Sequence, residues 1–409
     1  MPTENISPDD RPSRPLEGVK VLEMGQLLAG PFAAALLAWF GAEVIKIEPP
    51  GTGDPLRQSR RLHKGTSLWW SSLARNKKCI TLDLRTPRGQ QIARQLAAKV
   101  DVLLENFKPG TLEKWGLGYE ELKRLNPKLI LARVSGYGQT GPYSPRPGYA
   151  NVAEGLGGLR YLVGFPDRPP ARANLSLGDS LAGLHAALGV LMALYHRDAK
   201  GTGEGQVIDV AIYEAVFNML ESTVPEYDKL GEVRERQGAR ISGIVPTNTY
   251  LTGDSKCVII GGNGDSIYKR LMIAIGREDL ASDARLERNE GRVRHEAVID
   301  AAIAEWTGRH TYDEIYATLD RAGVPVGPIC SVADIMKDPH YQARGMFEEA
   351  DLGEGDKVKL PTFIPKLSAT PGGTKWIGPS LGAHNEEIYR GLLGMSTEEI
   401  AQLTAEGVI

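Results

Sequence analysis

The sequence predicts an α/β protein with a mostly parallel sheet in a large domain, followed by a smaller α+β domain. Strand and helix patterns alternate through the first third of the chain, which is typical of a parallel sheet covered on both faces. Residues 227–245 are then rich in charge and glycine, as in a linker or mobile loop between domains. The 409 residues are enough for two domains of ordinary size.

The alternation starts with a βαβ unit. VKVLEM (19–24) predicts a strand, PFAAALLAWF (31–40) a helix that stops at Gly41, and EVIKIE (43–48) a second strand. Because ligands bind outside the carboxyl ends of parallel strands, we expect site residues just after the strands. The later elements of the large domain are predicted as strands at 79–84, 100–107, 129–134 and 206–212 and helices at 87–99, at 119–125 and from Tyr213.

Asp179 is the most informative residue of the chain. It follows Gly178 at the mouth of a nearly all-apolar helical run, where the amide groups and macrodipole of a helix start favour an ionised carboxylate. Such a carboxylate could act as a nucleophile that forms acyl-enzyme intermediates. An aspartate before a helix is also commonly an N-cap, so the residues alone leave both roles open. The residues whose spacing predicts the buried face of this helix are Leu181, Leu184, Leu188, Leu191 and Tyr195.

The smaller domain is predicted to contain a hairpin, TYLTGDSKCVIIGG (249–262), with Gly253-Asp254 at its turn. Helices are expected near 266–276, 296–306 and 311–322, and the chain after Val332 is rich in proline and glycine before a helical tail. The predicted organisation is a flexible lead-in (1–15), a large domain (16–225), a small domain (226–330), and a linker and carboxyl-terminal segment (331–409) that returns to the large domain.

The composition argues against several classes of function. A formal net charge of −3 gives no bulk attraction to nucleic acid or to anionic membranes. The amino terminus lacks the apolar core of a signal peptide, and the longest apolar run, 181–195, is too short to span a bilayer. The three cysteines are far apart, and the histidines show no paired metal spacing. We therefore predict a cytoplasmic protein without a metal site and without a nucleic-acid or membrane partner.

The loop from Gly25 to Gly30 joins a strand to a helix, and Glu48 ends the second strand, where a ribose-binding acid belongs in dinucleotide-binding proteins. However, Leu27 and Leu28 stand where the backbone should approach a pyrophosphate. A nucleotide-dependent oxidoreductase is therefore a weak alternative.

Basic residues cluster near the predicted strand ends, on one edge of the sheet. A phosphate-rich ligand would use such a cluster, because Arg and Lys make charge-assisted hydrogen bonds to phosphate oxygens. Strand-end loops are also commonly rich in lysine, so only the cluster as a whole supports this interpretation. Its members are Arg75, Lys77, Lys78, Arg85, Arg88, Lys108 and Lys114.

Taken together, several segments resemble the family III CoA-transferases, a group that includes formyl-CoA:oxalate and carnitine CoA-transferases and an α-methylacyl-CoA racemase branch. The resemblance covers nearly the whole chain, and the order and spacing of the segments make it specific. Its carriers are LEGVKVLEMGQLLAGPFAAALLAWFGAEVIKIEPPGTGDPLR, RNKKCITLDLRTPRG, DVLLENFKPGTLEKWGLGYEEL, SGYGQTGP, LGDSLAGLHAALGVLMAL and LGAHNEEI.

The resemblance implies a Rossmann-like large domain built from both chain ends and two monomers interlocked as a homodimer. It also implies that Asp179 is the catalytic nucleophile and that CoA or acyl-CoA is a substrate, with no tightly bound cofactor. Tyr149 matches a tyrosine that contacts CoA in the formyl-CoA transferases. The CoA-binding positions implied by the resemblance are Leu82, Asp83, Leu84, Arg85, Asn106, Phe107, Lys108, Lys114 and Tyr149.

Tyr149-Ala150 favours the transferase branch, because racemases of the family carry a His-Asp pair there as the second acid/base. GARISGIVPTNTY resembles a segment of transferases that use succinyl-CoA with dicarboxylic acceptors. A second substrate carboxylate needs a cation, for which Arg146, Arg172 and Arg240 are candidates.

The chain also departs from the formyl-CoA transferases. Leu28 replaces a glutamine of that branch, and Pro49 and Pro50 replace arginines that some relatives carry near the adenine. A formyl-CoA:oxalate or carnitine-type transferase stays open as an alternative, as does a CoA-binding protein without catalysis.

Overall fold

The structure, a computed structural model, describes residues 14–409, so residues 1–13 of the predicted lead-in lie outside the described chain. Contacts divide the chain into two units. One unit comprises the chain as far as Leu159 together with Ala173–Leu220 and His340–Ile409, and the other comprises Arg160–Arg172 and Glu221–Pro339. The first unit therefore contains segments from both ends of the sequence.

The helices follow one another along both units, and most predicted helices are present within a few residues of their expected bounds. The α-helices are α1 Ala29–Trp39, α2 Leu68–Leu73, α3 Pro87–Ala97, α4 Thr111–Lys114, α5 Tyr119–Leu125, α6 Ala150–Leu156, α7 Leu159–Leu162, α8 Leu177–Leu194, α9 Ile212–Phe217, α10 Thr223–Leu230, α11 Asp265–Ala274, α12 Glu278–Ala281, α13 Asn289–Arg294, α14 Glu296–Thr307, α15 Tyr312–Arg321, α16 Val332–Ile335, α17 Pro339–Ala343 and α18 Thr397–Ala405.

A six-stranded sheet forms the centre of the first unit. Its strands and those of a small ladder are β1 Lys20–Glu23, β2 Glu43–Glu48, β3 Leu62–His63, β4 Thr66–Ser67, β5 Lys77–Thr81, β6 Val102–Glu105, β7 Ile130–Ser135 and β8 Val207–Ala211. The strand order is β5-β2-β1-β6-β7-β8, and all neighbouring strands are parallel. The prediction of an α/β fold with a parallel sheet is confirmed.

Both faces of this sheet are apolar and covered by helices. Val21 of β1 faces the side covered by α1 and α8, whereas Leu22 faces the side covered by α3 and the carboxyl-terminal segment. Neighbouring residues separate in this way because successive side chains of a strand point to opposite faces. The near-continuous apolar runs of these strands are therefore typical of a doubly covered parallel sheet.

The carboxyl-terminal segment covers the edge strand β5. The Cys79 backbone N–H donates to His384 Nδ1 at 3.1 Å, and the Thr81 N–H donates to Asn385 Oδ1 at 2.9 Å. Burial lowers the pKa of His384, which agrees with a neutral ring whose Nδ1 accepts a hydrogen bond. The HN dipeptide of the LGAHNEEI motif thus satisfies donors that an exposed edge strand would leave unpaired.

The buried face of α8 differs from the predicted one. Leu184, Leu188, Leu191 and Tyr195 are 52%, 48%, 42% and 60% exposed, so the predicted face is wrong for these residues. The face that enters the core carries mainly small residues, because α8 packs closely on α1: a Cβ at Gly183 would lie 2.6 Å from the Ala29 carbonyl oxygen. The buried residues of this face include Ala182, Gly183, Ala186, Ala187, Val190 and Ala193.

The helix is also longer than predicted, since a π-helical turn, Tyr195–Ala199, continues α8. By length and composition, Leu177–Ala199 is apolar enough to cross a membrane, so the prediction that this run is too short is wrong. Its small-residue face nevertheless lies in the core of the first unit. Helices in the core of a protein can be as long and as apolar as a helix that crosses a membrane.

The second unit contains a small antiparallel sheet. Its strands are β9 Thr247–Leu251, β10 Cys257–Gly261 and β11 Val326–Pro328, in the order β11-β10-β9. The predicted hairpin is present as β9 and β10, and α11, α14 and α15 contribute to its core. In the first unit, β12 Phe347–Asp351 and β13 Lys357–Pro361 form a hairpin that was not predicted, within the segment expected to begin as a linker.

Candidate active site

A cavity of about 380 Å³ opens in the first unit at the carboxyl ends of the parallel strands. The segments that follow β1, β6 and β7 line it, together with the first turn of α8. This is the edge at which ligands of open α/β sheets bind. The residues predicted for the site that line this cavity are Asn106, Phe107, Lys108, Arg146, Tyr149 and Asp179.

Asp179 is the third residue of α8 and is half-buried. The N-cap position belongs to Ser176, so Asp179 is not the N-cap of this helix. The backbone N–H of Gly178 donates to Glu154 Oε1 at 3.2 Å, and a Cβ at Gly178 would lie 3.1 Å from Ile212 Cγ2. The glycine before Asp179 therefore lets the helix start lie close to α6 and α9, and the positive end of the helix favours the ionised carboxylate.

Asn106 and Phe107 are fixed by hydrogen bonds on the cavity's floor. Asn106 accepts from the Gln26 N–H at 2.8 Å and donates to the Gln26 carbonyl at 2.9 Å. The Phe107 N–H donates to Glu105 Oε2 at 2.6 Å, and Arg133 Nε donates to the other oxygen at 2.7 Å. Burial raises the pKa of Glu105 to about 7, although Arg133 opposes this shift. The segment after β6 that the family resemblance implied is thus held in place by a buried carboxyl group, that of Glu105.

Arg146 and Tyr149 lie on the loop between β7 and α6. The Arg146 guanidinium stacks over the Tyr143 ring, 3.9 Å from its centroid, and both Arg146 and Tyr149 are exposed. Tyr149 is 71% exposed and directly precedes α6. Stacking on an aromatic ring restricts the arginine while leaving its N–H groups able to bind an anion.

Other predicted site residues lie elsewhere within residues 14–409. Leu82 and Leu84 follow β5 and are buried in the hydrophobic core, while Asp83 pairs with Arg85 at 2.9 Å. Lys114 is exposed at the end of α4. None of these lines the cavity in the described part of the chain. Arg172 and Arg240 belong to the second unit, where Arg240 forms an ion pair with Glu296 at 3.2 Å.

Part of the predicted basic cluster is not available for phosphate. Arg75 is buried, and the buried Lys77 pairs with Glu23 at 2.7 Å. Lys78 pairs with Glu43 at 2.7 Å. The interpretation of these three cations as ligand groups is wrong, because protein carboxylates and carbonyls already neutralise or bind them.

The expected ribose-binding acid of an oxidoreductase has another role. Glu48 accepts from Arg57 Nε and Nη2, both at 2.7 Å, and from the Asp54 backbone N–H at 2.9 Å. A carboxylate occupied by a bidentate arginine is not free to bind a ribose. Among the residues that the structure describes, no group of three His, Cys, Asp or Glu side chains is arranged to hold a metal ion.

The sequence did not identify the turn of Gln26, Leu27 and Leu28 as a wall of the cavity. Leu27 has a φ of 62°, in the left-handed region that favours glycine. The signal that could have found it is the presence of charged residues inside the apolar strands β1 and β2, which carry Glu23 and Lys46.

The family model described as CoA-transferase family III matches residues 16–385. The chain belongs to CoA-transferase family III. As a CoA-transferase it uses CoA thioesters as substrates, and the resemblance seen in the sequence is confirmed.

Named relatives agree with this membership of the CoA-transferase family. The chain is 50% identical to the succinyl-CoA--D-citramalate CoA-transferase of Chloroflexus aurantiacus, over 98% of this chain and 99% of that one. It is 43% identical to the succinyl-CoA--L-malate CoA-transferase alpha subunit of Chloroflexus aurantiacus, over 97% of this chain and 92% of the relative. The crystal structure of a CAIB/BAIF family protein from Brucella suis matches with a TM-score of 0.81 and 34% identity, over 93% of this chain and 100% of that one.

Proposed function

We propose that this CoA-transferase moves CoA from succinyl-CoA, or a similar short acyl-CoA, to a dicarboxylic acid, with Asp179 as the nucleophile. The observation that carries the proposal is that Asp179, at the positive end of α8, lines one cavity with Asn106–Lys108 and Tyr149. The relatives named for succinyl-CoA with citramalate or malate support the choice of substrates.

The chemistry consists of exchanges between anhydrides and thioesters. The Asp179 carboxylate attacks the donor thioester, forming a mixed anhydride and releasing CoA thiolate. The thiolate attacks the aspartyl carbonyl, so that the donor acid leaves and an aspartyl-CoA thioester remains. The acceptor carboxylate then attacks this thioester to form a second anhydride, and the released thiolate attacks the acceptor's carbonyl. Asp179 is regenerated as a carboxylate, and the number of thioester bonds is unchanged.

Arg146 is the best placed of the three predicted arginines to bind the second carboxylate of a dicarboxylic substrate. It lines the cavity that contains Asp179, and its guanidinium is exposed and stacked on Tyr143. Arg240 is already paired with Glu296. Within the same proposal, Asn106–Lys108 and Tyr149 contact CoA.

An interlocked homodimer is part of the proposal. The exposed leucines of α8 form an apolar stripe, since residues at steps of three and four share one helix face. Such an exposed apolar stripe favours burial against another chain. We also propose that the two contact units correspond to the predicted large and small domains, and that the enzyme acts in the cytoplasm.

Trapping of the covalent intermediate tests the proposal. After incubation with succinyl-CoA, hydroxylamine is expected to convert the activated Asp179 to a hydroxamate, seen as a mass change on the peptide that contains it. Asp179→Asn should keep CoA binding and lose exchange of label between succinate and succinyl-CoA. An unmodified Asp179 peptide in enzyme that turns over this donor, or substantial exchange by Asp179→Asn free of deamidation, contradicts it.

A further inference from the structure

Four charged side chains are buried beneath the turn that follows β1. Glu23, Lys46, Asp54 and Lys77 are each at most 1% exposed. Lys46 Nζ lies 2.8 Å from Glu23 Oε1 and 2.8 Å from Asp54 Oδ2, and Lys77 Nζ lies 2.7 Å from Glu23 Oε2. Burial lowers the pKa of Lys46, but the two carboxylates outweigh it, and the pKa lies above its ordinary value. Lys46 correspondingly lowers the pKa of Asp54, although the burial of Asp54 opposes this shift.

Such a cluster calls for an explanation other than stability. The desolvation of buried charges commonly cancels their attraction, so that apolar residues of similar volume would stabilise the fold as well or better. The hydrogen bonds of these groups show what else they do: they hold the backbone of the turn that follows β1. Lys46 donates to the Gly25 carbonyl at 2.8 Å, and Asp54 Oδ1 accepts from the Leu27 N–H at 3.1 Å.

Leu27 needs this support because its backbone is strained. A leucine in the left-handed region costs about 1–2 kcal/mol relative to ordinary backbone, and Leu27 has a φ of 62°. The Asp54 carboxylate binds the N–H group whose direction depends on that φ. Leu27 and its neighbours Gln26 and Leu28 line the cavity that contains Asp179.

We propose that Asp54, oriented by Lys46, is a positioning residue for CoA transfer, which holds the strained Leu27 turn in the shape that the cavity requires. This inference depends on the proposed function, in which the cavity is the place where Asp179 reacts. Without the Asp54 acceptor, the Leu27 N–H loses its hydrogen bond to the buried carboxylate and the turn relaxes to a less strained backbone. The part of the cavity wall that Gln26, Leu27 and Leu28 form then moves.

The test compares Asp54→Ala with Asp54→Asn. Both variants remove the charge that pairs with Lys46, so both should lower the Tm. Asp54→Ala should lower it further, because it also loses the hydrogen bond that Asp54 Oδ1 accepts from the Leu56 N–H at 2.8 Å. Asparagine keeps an oxygen that accepts from the Leu27 N–H, whereas alanine does not. We therefore expect kcat for succinyl-CoA and a dicarboxylic acid to fall about 10- to 100-fold in Asp54→Ala and less than about threefold in Asp54→Asn, with smaller changes in KM.

Asp101 provides a matched control at the other end of the sheet. It also pairs with a buried cation, Arg197, at 2.9 Å, and accepts from the backbone N–H of Lys20 at 2.9 Å. It precedes β6, at the amino end of the strands and away from the cavity. Asp101→Ala should therefore lower the Tm without lowering kcat.

Several outcomes overturn the inference. It is wrong if Asp54→Ala keeps kcat within about threefold of the wild type, or if Asp54→Asn loses as much activity as Asp54→Ala. If Asp54→Ala does not fold, Lys46→Met replaces it: a lower kcat at similar KM supports the role, and an unchanged kcat rejects it. An active Asp179→Asn would refute the proposed function instead, whereas an inactive Asp179→Asn with a fully active Asp54→Ala refutes only this inference.

Discussion

Two acidic residues near the cavity lie in contrasting environments. Asp179 is half-buried in the first turn of α8, where backbone N–H groups and the helix dipole favour its charged form. Glu105 is 1% exposed beneath Phe107, and its burial raises its pKa to about 7. The environment of Asp179 suits a nucleophile. Glu105 instead holds the Phe107 loop in place, and its burial gives it a pKa near neutral pH.

Glu105 should make stability depend on pH in a definite direction. Because its pKa is about 7 when folded and about 4.3 when unfolded, the stabilising effect of its protonated form is complete below pH 4.3 and disappears as the pH rises through 7. The free energy of unfolding of the wild type should therefore fall relative to that of Glu105→Gln between pH 5 and pH 8, by on the order of 2–3 kcal/mol.

Urea unfolding of both proteins at several pH values measures this difference. Glu113→Gln is a matched control, because Glu113 binds the same Arg133, at 2.6 Å, and Arg133 lowers its pKa below the ordinary value. Its difference from the wild type should be flat over this pH range. A flat difference for Glu105→Gln as well would mean that the ion pair with Arg133 at 2.7 Å keeps Glu105 ionised throughout.

Arg146 should determine the preference for dicarboxylic substrates. Arg146→Gln removes a charge-assisted hydrogen bond to the second carboxylate, so KM for a dicarboxylic acceptor should rise roughly 10- to 100-fold. KM for a monocarboxylic acceptor of similar size should change little. Arg124→Gln, at an exposed residue of α5, makes the same charge change away from the cavity and should alter neither. Equal effects of Arg146→Gln on both classes of acid would contradict this role.

At the residue scale, the sequence predicted residues that line the cavity better than it predicted the strained turn and the buried ion pairs beneath it. Asp179 and Lys108 could be singled out because a helix start and a strand end are visible as patterns, whereas Asn106 and Phe107 were implied by the family resemblance. The positive φ of Leu27 could not, because leucine is rarely found there. Lys77 was misinterpreted because a sequence shows a charge but not the buried carboxylate that pairs with it.

The contact between α1 and α8 sets the position of both helix starts at the cavity. Ala29 and Leu28 at the start of α1 and Asp179 at the start of α8 all line it. The two helices approach closely at Gly183, where a Cβ would lie 2.6 Å from the Ala29 backbone oxygen and 3.0 Å from the Phe32 ring. Small residues on α8 therefore determine how near the two helix starts come to each other.

Gly183→Ala should separate α1 from α8 and damage both stability and activity. The clash involves a backbone oxygen that cannot rotate away, so we expect a loss of about 1–3 kcal/mol, against a helix-propensity gain below about 1 kcal/mol. Gly189→Ala on the same helix is the control, since its Cβ would meet the Ile208 Cγ2 at 2.8 Å, a side-chain atom that can move. Chemical denaturation and kcat of the two variants check this, and equal losses would contradict the argument.

At the element scale, periodicity predicted that α8 is a core helix but selected the wrong face. The rule assigns large apolar residues to the interior, and here they form the exposed stripe of Leu184, Leu188 and Leu191. Close helix packing reversed the expectation, because only residues such as Gly183 fit against α1. The two-sided sheet was predictable, since its strands are apolar on both faces.

At the scale of the whole molecule, the two ends of the sequence are joined in one unit. The Asp83 N–H donates to the Val408 carbonyl at 2.8 Å, and the Tyr389 hydroxyl donates to the Thr81 carbonyl. The chain therefore leaves the first unit twice, at Arg160–Arg172 and at Glu221–Pro339, and returns to it each time. This arrangement was implied by the family resemblance rather than by local patterns, because contacts about 300 residues apart leave no periodic signal in a sequence.

The exposed stripe of α8 leads to a prediction about assembly. Leu188 and Leu191 are 48% and 42% exposed on a helix whose opposite face is in the core, so a second surface is needed to remove them from water. In a twofold-symmetric dimer the same patch would meet its own copy or a patch of the partner that is complementary to it. Leu188→Glu with Leu191→Glu places charges in such an interface, where their desolvation opposes association.

Sedimentation velocity distinguishes the outcomes. The wild type should sediment as twice the 44.4 kDa chain mass, and the double variant should shift toward monomer with a lower Tm, because interlocked chains contribute to each other's stability. Leu125→Glu, at a residue 53% exposed on α5, is the control and should leave the dimer intact. A wild type that stays monomeric, or a double variant that keeps both the dimer mass and its Tm, would show that the stripe is not the surface that joins two copies.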